Sequence, residues 1–231
     1  ALDAVARECG ETLTLPFEVT DFAKIPALAE RAWGWKGRLH GLVNNAGISQ
    51  RSLAVETAFA VYQQIVAVDL MAPIALTQAV LPKMVQAGGG RIVAISSVAG
   101  LVGAPLRSAY SAAKHGLIGY HDSVRAENEH LGVQVHVFAP GSVKTNVSRN
   151  ALVADGSSRG MSDAAIENGV SSGDTADAML AAISAGTREL VLATGFEHEL
   201  VMLRRRDPEA LFEQMSGLVR AGYAQAMNDA E

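Results

Sequence analysis

The chain has 231 residues, of which 49% are hydrophobic and 19% are charged, and we expect a single domain, 1–231, with one sizeable core. Its formal net charge of -5 argues against nucleic acid as a partner, because duplex binding needs a basic face that releases counterions. Cys9 is the one cysteine, which excludes an internal disulfide and a cysteine-rich zinc site, and we expect no metal.

Short β-like runs alternate with longer helical stretches along the chain. The first residues, 1–7, have amphipathic helical spacing, and the stretch Ala58–Gln86 contains Pro73, which should bend or divide the helix. The predicted strands are Thr12–Val19, Leu39–Val43, Arg91–Ser96, Val133–Ala139 and Glu189–Ala193. The predicted helices are Ala23–Trp35, Ala58–Gln86, Arg107–Leu131, Asp174–Ala185 and Pro208–Met227, the last within a C-terminal helical segment, 207–231.

This alternation predicts a three-layer α/β fold, a doubly wound parallel sheet with helices on both faces. Ligands of such sheets bind at the carboxyl ends of the strands. The segment 151–173, whose loosest part is rich in Gly, Ser and Asp, follows one of these ends. We interpret it as a candidate substrate lid, with a solvated surface loop as the alternative.

Three predicted strand ends carry small, polar or turn-forming residues. Asn44-Asn45-Ala46-Gly47 follows the second predicted strand, Ser96-Ser97 follows the third, and Pro140-Gly141, with Thr145 beyond, follows the fourth. Each has an ordinary structural explanation when taken alone: a turn, a helix cap or a strand stop. Their shared position at strand ends makes coincidence improbable.

Tyr110 and Lys114 are four residues apart on a predicted helix, so they share one face. A lysine ammonium beside a tyrosine stabilises the phenolate form, which suits proton exchange near neutral pH. The pair alone is weak evidence, since a tyrosine often packs beside a surface lysine. Ser97, 13 residues before Tyr110 and at a strand end, strengthens the interpretation.

Together these stretches resemble the short-chain dehydrogenase/reductases. The matching residues extend over nearly the whole chain and the resemblance weakens after about Thr194. The matching motifs are Leu42-Val43-Asn44-Asn45-Ala46-Gly47, Ile95-Ser96-Ser97-Val98-Ala99-Gly100, Tyr110-Ser111-Ala112-Ala113-Lys114 and Pro140-Gly141-Ser142-Val143-Lys144-Thr145. The fold that this resemblance implies is the Rossmann type.

The resemblance implies a role for each catalytic residue. Tyr110 would be the general acid/base that exchanges a proton with the substrate oxygen, and Ser97 would hold and polarise that oxygen. Lys114 would bind the nicotinamide ribose hydroxyls and stabilise the phenolate of Tyr110. Asp69 stands where the family usually has asparagine, whose main-chain carbonyl holds a water of the proton relay; solvent exposure of Asp69 is the alternative.

The resemblance also implies a cofactor site. Asn44 would sit against the cofactor and stabilise the sheet, and the cofactor contacts would further include Tyr110 and Lys114. Glu18-Val19 resembles the family's Asp-Val at the adenine, with glutamate replacing the usual aspartate. The remaining implied cofactor-binding residues are Asn45, Ala46, Gly47, Pro140, Gly141, Val143 and Thr145.

The family's glycine-rich turn, which binds pyrophosphate at a helix N-terminus, has no match in the chain. We therefore expect about one further βαβ unit, on the order of 30 residues, upstream of Ala1 in the natural protein.

The predicted function is interconversion of a secondary alcohol and a ketone or aldehyde with NAD or NADP, NADP being favoured because it is common in similar reductases. One alternative uses the same tyrosine and lysine for epimerisation or dehydration; the other is a non-catalytic dinucleotide-binding or scaffold protein. We expect a small carbonyl or alcohol substrate, a homodimer or homotetramer, no membrane span and a cytoplasmic location. The histidines show no ligand spacing, and we expect His121 at the surface.

Overall fold

The computed structural model describes residues 2–229, with side chains described up to Ala226. Its main sheet has four parallel strands in the order β1-β2-β3-β6, and β4 pairs with β5 in a separate two-stranded parallel sheet. The strands are β1 (Gly41–Asn44), β2 (Gly90–Ile95), β3 (Val133–Pro140), β4 (Val143–Lys144), β5 (Val170–Ser171) and β6 (Glu189–Leu192).

Ten α-helices are found in the described part of the chain, and a π-helical turn, Ala67–Met71, joins α3 to α4. Pro73 is the second residue of α4, so the predicted division of the long helix is confirmed just before the proline. The helices are α1 (Leu2–Glu8), α2 (Ile25–Lys36), α3 (Phe59–Val66), α4 (Ala72–Gln86), α5 (Ser108–Asn128), α6 (Ala164–Glu167), α7 (Ser172–Ser184), α8 (Gly195–Arg206), α9 (Pro208–Arg220) and α10 (Tyr223–Asp229).

Both faces of the main sheet are buried. Ile92 of β2 packs with Met84 of α4 and Val124 of α5 on one face. The next residue, Val93, points the opposite way and packs with Phe138 and, on α7, Ala182. Consecutive buried residues on a strand are typical of a parallel sheet between two helical layers. The predicted three-layer, doubly wound fold is confirmed.

The helical stretch Phe59–Gln86 is long and apolar enough to cross a membrane by length and composition, and 33% of its most apolar window is buried. Core helices of soluble proteins pass the same test, so this is weak evidence for a span. The prediction of no membrane span stays a prediction.

The predicted strand Thr12–Val19 is wrong, because residues 12–18 are irregular. A strand needs a neighbour to complete its hydrogen bonds, and no strand within residues 2–229 pairs with this segment. Helix α8 was missed, since it buries only Leu200 and Val201 and gives a short periodic signal. The predicted helix Pro208–Met227 is divided into α9 and α10 at the left-handed Gly222 (φ 89°).

Candidate active site

Lys114 joins helix α5 to the carboxyl end of β2. Its Nζ donates a hydrogen bond to the Ile95 carbonyl oxygen at 3.0 Å and lies 5.6 Å from the centroid of the Tyr110 ring. Lys114 is only 4% exposed, whereas Tyr110 is half-buried. The predicted pairing of Tyr110 and Lys114 on one helix face is therefore confirmed, and it is anchored at a strand end.

The residues after β2 are tied to the same helix. Ser96 Oγ donates to the Lys114 carbonyl oxygen at 3.1 Å. Ser97 caps the short 3₁₀ helix Val98–Gly100, because its Oγ accepts a hydrogen bond from the Ala99 N–H at 3.1 Å. The hydroxyl hydrogen of Ser97 is not used in this bond, and the residue is partly exposed, so it can donate to a ligand oxygen.

We expect Gly100→Ala to disturb this junction. An added Cβ would lie 2.4 Å from Ser96 Oγ and 2.9 Å from the Lys114 carbonyl oxygen, so backbone must shift. The expected loss of stability is about 1–3 kcal/mol, measured by urea unfolding. Gly103→Ala is the matched control, because its added Cβ would meet nothing within 4 Å. Equal stability of Gly100→Ala and the control would contradict the expectation.

Asp69 lies in the π-helical turn and is fully buried, so the alternative of a solvent-exposed residue is wrong. Its Oδ1 accepts the Ile48 N–H at 2.8 Å, and its Oδ2 lies 3.2 Å from Lys114 Nζ. Burial raises the pKa of the Asp69 carboxyl, while the charge of Lys114 and the hydrogen bonds from Ile48 and Lys114 oppose the shift. Asp69 and Lys114 thus form a buried ion pair.

The turn after β1 lies directly over this ion pair. Asn45, Ala46 and Gly47 are exposed, and a Cβ on Gly47 would lie 3.1 Å from Asp69 Oδ2 and 3.4 Å from Lys114 Nζ. A side chain at position 47 would therefore press on the ion pair, which glycine avoids. Of the predicted cofactor residues in this turn, Gly47 is therefore adjacent to Lys114.

Asn44 ends β1 and belongs to a buried polar group. Its Nδ2 donates to Thr77 Oγ1 at 3.1 Å and lies 3.5 Å from His121 Nε2, while its Oδ1 has no hydrogen-bond partner. His121 is fully buried, so the expectation of a surface histidine is wrong. Burial lowers the pKa of His121, which favours the neutral ring.

Glu197 of α8 supports the turn after β3. The Ser142 N–H and Ser142 Oγ donate to its two carboxylate oxygens at 2.8 and 2.9 Å, and a Cβ on Gly141 would lie 2.1 Å from Glu197 Oε2. Pro140, Gly141 and Val143 are partly buried around this contact, and Thr145 is exposed. The sequence analysis did not single out Glu197, because its helix, α8, was not predicted.

Lys114, Tyr110, Ser97 and Asp69 together are called the Lys114 group below. Among the described residues, no hydrogen bond or ion pair links Glu18 or Val19 to this group. Glu18 is exposed, and its Oε1 accepts hydrogen bonds from the Thr20 N–H at 3.3 Å and from Thr20 Oγ1 at 3.1 Å. The predicted adenine contact of Glu18 and Val19 stays a prediction.

A second charged group, which we call the Asp163 cluster, consists of Asp163 and the arginines Arg51, Arg107 and Arg159. Asp163 Oδ2 lies 2.8 Å from Arg51 Nε and 3.2 Å from Arg107 Nη2, and Arg159 pairs with Oδ1. Burial would raise the pKa of Asp163, but hydrogen bonds and charge from Arg51, with bonds from Arg159 and Ser148, hold it well below its ordinary value. Burial, with repulsion from Arg107, lowers the pKa of Arg51 to about 10.

The Asp163 cluster fixes the first half of the candidate lid. The Leu152 N–H donates to the Ser49 carbonyl oxygen and the Arg51 N–H donates to the Leu152 carbonyl oxygen, each at 2.8 Å. Residues 164–173 are mostly exposed and contain α6 and β5. Any lid movement is therefore expected in residues 164–173 rather than in the whole segment 151–173.

A cavity of about 460 Å³ lies beside the Asp163 cluster. Arg51 and Arg159 line it together with Glu56 and Asp155, so its charges balance in sign, and Tyr110 and Lys114 do not line it. Within residues 2–229, no group of three His, Cys, Asp or Glu side chains could hold a metal ion.

Comparison with known proteins identifies the family of the chain. A family profile described as short chain dehydrogenase matches residues 1–155. The chain belongs to the short-chain dehydrogenase family. The dehydrogenase/reductase SDR family member 7B of Danio rerio is 36% identical over 207 residues, covering 90% of this chain and 67% of that protein. The chain spans about two thirds of the length of such curated relatives.

Solved structures of this family share the fold. A short-chain dehydrogenase/reductase from Burkholderia phymatum, in complex with NAD, superposes with a TM-score of 0.77 at 23% identity, covering 90% of this chain and 80% of that one. A metagenomic short-chain oxidoreductase in complex with NADP gives a TM-score of 0.58 at 35% identity, covering 62% of this chain and 67% of that one. The family and fold predictions are confirmed.

Proposed function

We propose that the chain is an oxidoreductase that interconverts a secondary alcohol and a ketone or aldehyde with NAD or NADP. The observation that carries the proposal is the buried Lys114 ammonium. It lies between the Tyr110 ring and the Ile95 carbonyl at the carboxyl edge of the parallel sheet. Ligands of doubly wound sheets bind at this edge.

The residues at this edge fit a dinucleotide. The exposed Gly47 lies beside Lys114, so a ribose hydroxyl at Gly47 would be close to the ammonium. Lys114 gives one donor to Ile95 and faces Asp69, which leaves a third donor for the ribose. Val143 and Thr145, beyond β3, would hold the carboxamide. The NADP-bound metagenomic relative favours NADP without excluding NAD.

The chain's own residues supply the proton chemistry. In alcohol oxidation the substrate hydroxyl gives its proton to the phenolate of Tyr110, and in carbonyl reduction Tyr110 returns the proton. The Ser97 hydroxyl donates a hydrogen bond to the same oxygen and so stabilises the negative charge that develops there. When bound, a dinucleotide would supply the hydride acceptor or donor. Electrons and protons balance, because alcohol and oxidised cofactor give carbonyl, reduced cofactor and one proton.

The two alternatives make different demands on the chain. A scaffold protein has no need of the buried Lys114, which costs free energy to desolvate. Epimerisation or dehydration would use the same tyrosine and lysine, so this alternative is tested by product analysis. The expected homodimer or homotetramer and the cytoplasmic location stay predictions.

A thermal-shift screen with NAD, NADP and their reduced forms tests the cofactor assignment on the full-length protein. A ligand at 100 times its Kd stabilises the folded state by about 2.7 kcal/mol, so the preferred dinucleotide should give the largest rise in Tm. The same forms are then followed by absorbance with a panel of ketones, aldehydes and secondary alcohols. Cofactor binding without turnover on any substrate would favour the scaffold alternative.

A further inference from the structure

The Asp69–Lys114 ion pair is the most buried charge pair beside the candidate reaction site. Both side chains are at most 5% exposed, and Asp69 Oδ2 lies 3.2 Å from Lys114 Nζ. The other carboxylate oxygen is fixed by the Ile48 N–H at 2.8 Å. The geometry therefore pairs Asp69 Oδ2 with the Lys114 ammonium.

The charge of Asp69 is matched to Lys114 and not to the Ile48 N–H. An asparagine would accept the Ile48 N–H equally well, so the negative charge acts on the buried ammonium. Burial raises the pKa of Asp69 even with Lys114 beside it, so the ionised form costs folding free energy. A charge that is costly and buried beside a reaction site is more readily explained by function than by folding.

We propose that Asp69 is a positioning residue which, through its ion pair with Lys114, sets the pH range in which Tyr110 exchanges its proton. The inference rests on the proposed function. The Lys114 ammonium lies 5.6 Å from the centroid of the Tyr110 ring and 3.2 Å from Asp69 Oδ2. A cation beside a phenol favours the phenolate in general, and a negative charge paired with that cation opposes the effect.

Lys114 is the charged group that faces Asp69. It lies on α5, and the titratable Tyr110 lies beyond it on the same helix. From the turn after β1, Asp69 is faced by the neutral Ile48 N–H. The carbonyl of Ile95 approaches from β2 and fixes Lys114 rather than Asp69. Removing the charge of Asp69 should therefore act on Lys114 and Tyr110 together.

Asp69→Asn is the test, because it keeps the acceptor for Ile48 and removes the charge. In alcohol oxidation we expect the pH of half-maximal kcat to fall by about one unit, since the phenolate then forms at lower pH. Asp122→Asn removes an exposed charge elsewhere on α5 and should leave the profile unchanged. Superimposable profiles for active wild type and Asp69→Asn would overturn the inference.

A ligand-free measurement separates this inference from the proposed function. Because the folded-state pKa of Asp69 is raised above 3.8, wild type should lose stability relative to Asp69→Asn as the pH rises from 3.8 toward that pKa. The difference in Tm between the two proteins, followed from pH 3 to 8, should therefore grow with pH. A flat difference would overturn the inference, whatever the turnover. Absence of wild-type turnover would contradict the proposed function itself, and with it the tuning role.

Discussion

Tyr110→Phe is expected to lower kcat by about 10²–10⁴-fold while leaving dinucleotide affinity almost unchanged. The substitution removes the only atom of the side chain that can exchange a proton. The remaining ring keeps its packing against Val61, Ala113 and Leu152, so the fold should be retained. Steady-state kinetics with the preferred dinucleotide and substrate, together with its Kd, would measure both effects.

Tyr120→Phe is the matched control, because Tyr120 is a half-buried tyrosine on the same helix and packs edge-on against His121. Its kinetics should resemble those of wild type. Turnover by Tyr110→Phe within about threefold of wild type would remove Tyr110 from the proton chemistry. Loss of dinucleotide binding in the same variant would instead assign the tyrosine a binding role.

Asp163→Asn is expected to destabilise the protein by about 3–5 kcal/mol at neutral pH, because it removes the buried counter-charge of the Arg51 and Arg107 guanidinium groups. In a domain of this size, such a loss lowers Tm by on the order of 10 °C. Asp122→Asn, which breaks an exposed pair with Arg125, should cost about 0–1 kcal/mol.

The pH dependence gives a second measurement on the same variant. The folded-state pKa of Asp163 lies below its ordinary value of 3.8, so its contribution to stability is fully present above that value. The contribution is lost as the pH falls from 3.8 toward the folded-state pKa. The difference in Tm between wild type and Asp163→Asn should therefore shrink below about pH 4. A difference that is unchanged down to pH 2 would contradict the buried ion pairs.

The sequence predicted the sheet and the Lys114 group for a physical reason. Parallel strands buried on both faces leave continuous apolar runs, as at Ile92 and Val93, and a spacing of four residues fixes the shared helix face of Tyr110 and Lys114. The segment 12–19 has strand-like composition. Whether it forms a strand depends on a neighbouring strand to pair with, and the local sequence carries no information about that neighbour.

The Asp163 cluster and the Ser142–Glu197 contact could not be predicted in the same way. Arg51 and Asp163 are separated by 112 positions, and Ser142 and Glu197 by 55. No periodic pattern connects residues so far apart. Taken alone, each resembles an ordinary polar or charged surface residue. The burial of Asp69 was left open for a related reason, since a π-helical turn shifts which face a residue occupies.

Glu197 belongs to the region where likeness to the family fades, yet its carboxylate is the acceptor for both the main-chain and side-chain donors of Ser142. A relative that lacked this carboxylate would have to satisfy the two donors by other means, with a differently shaped loop beyond Pro140. Divergence of the C-terminal helices would then change the shape of the loop beyond Pro140, while the sheet and the proton-exchanging residues stay the same.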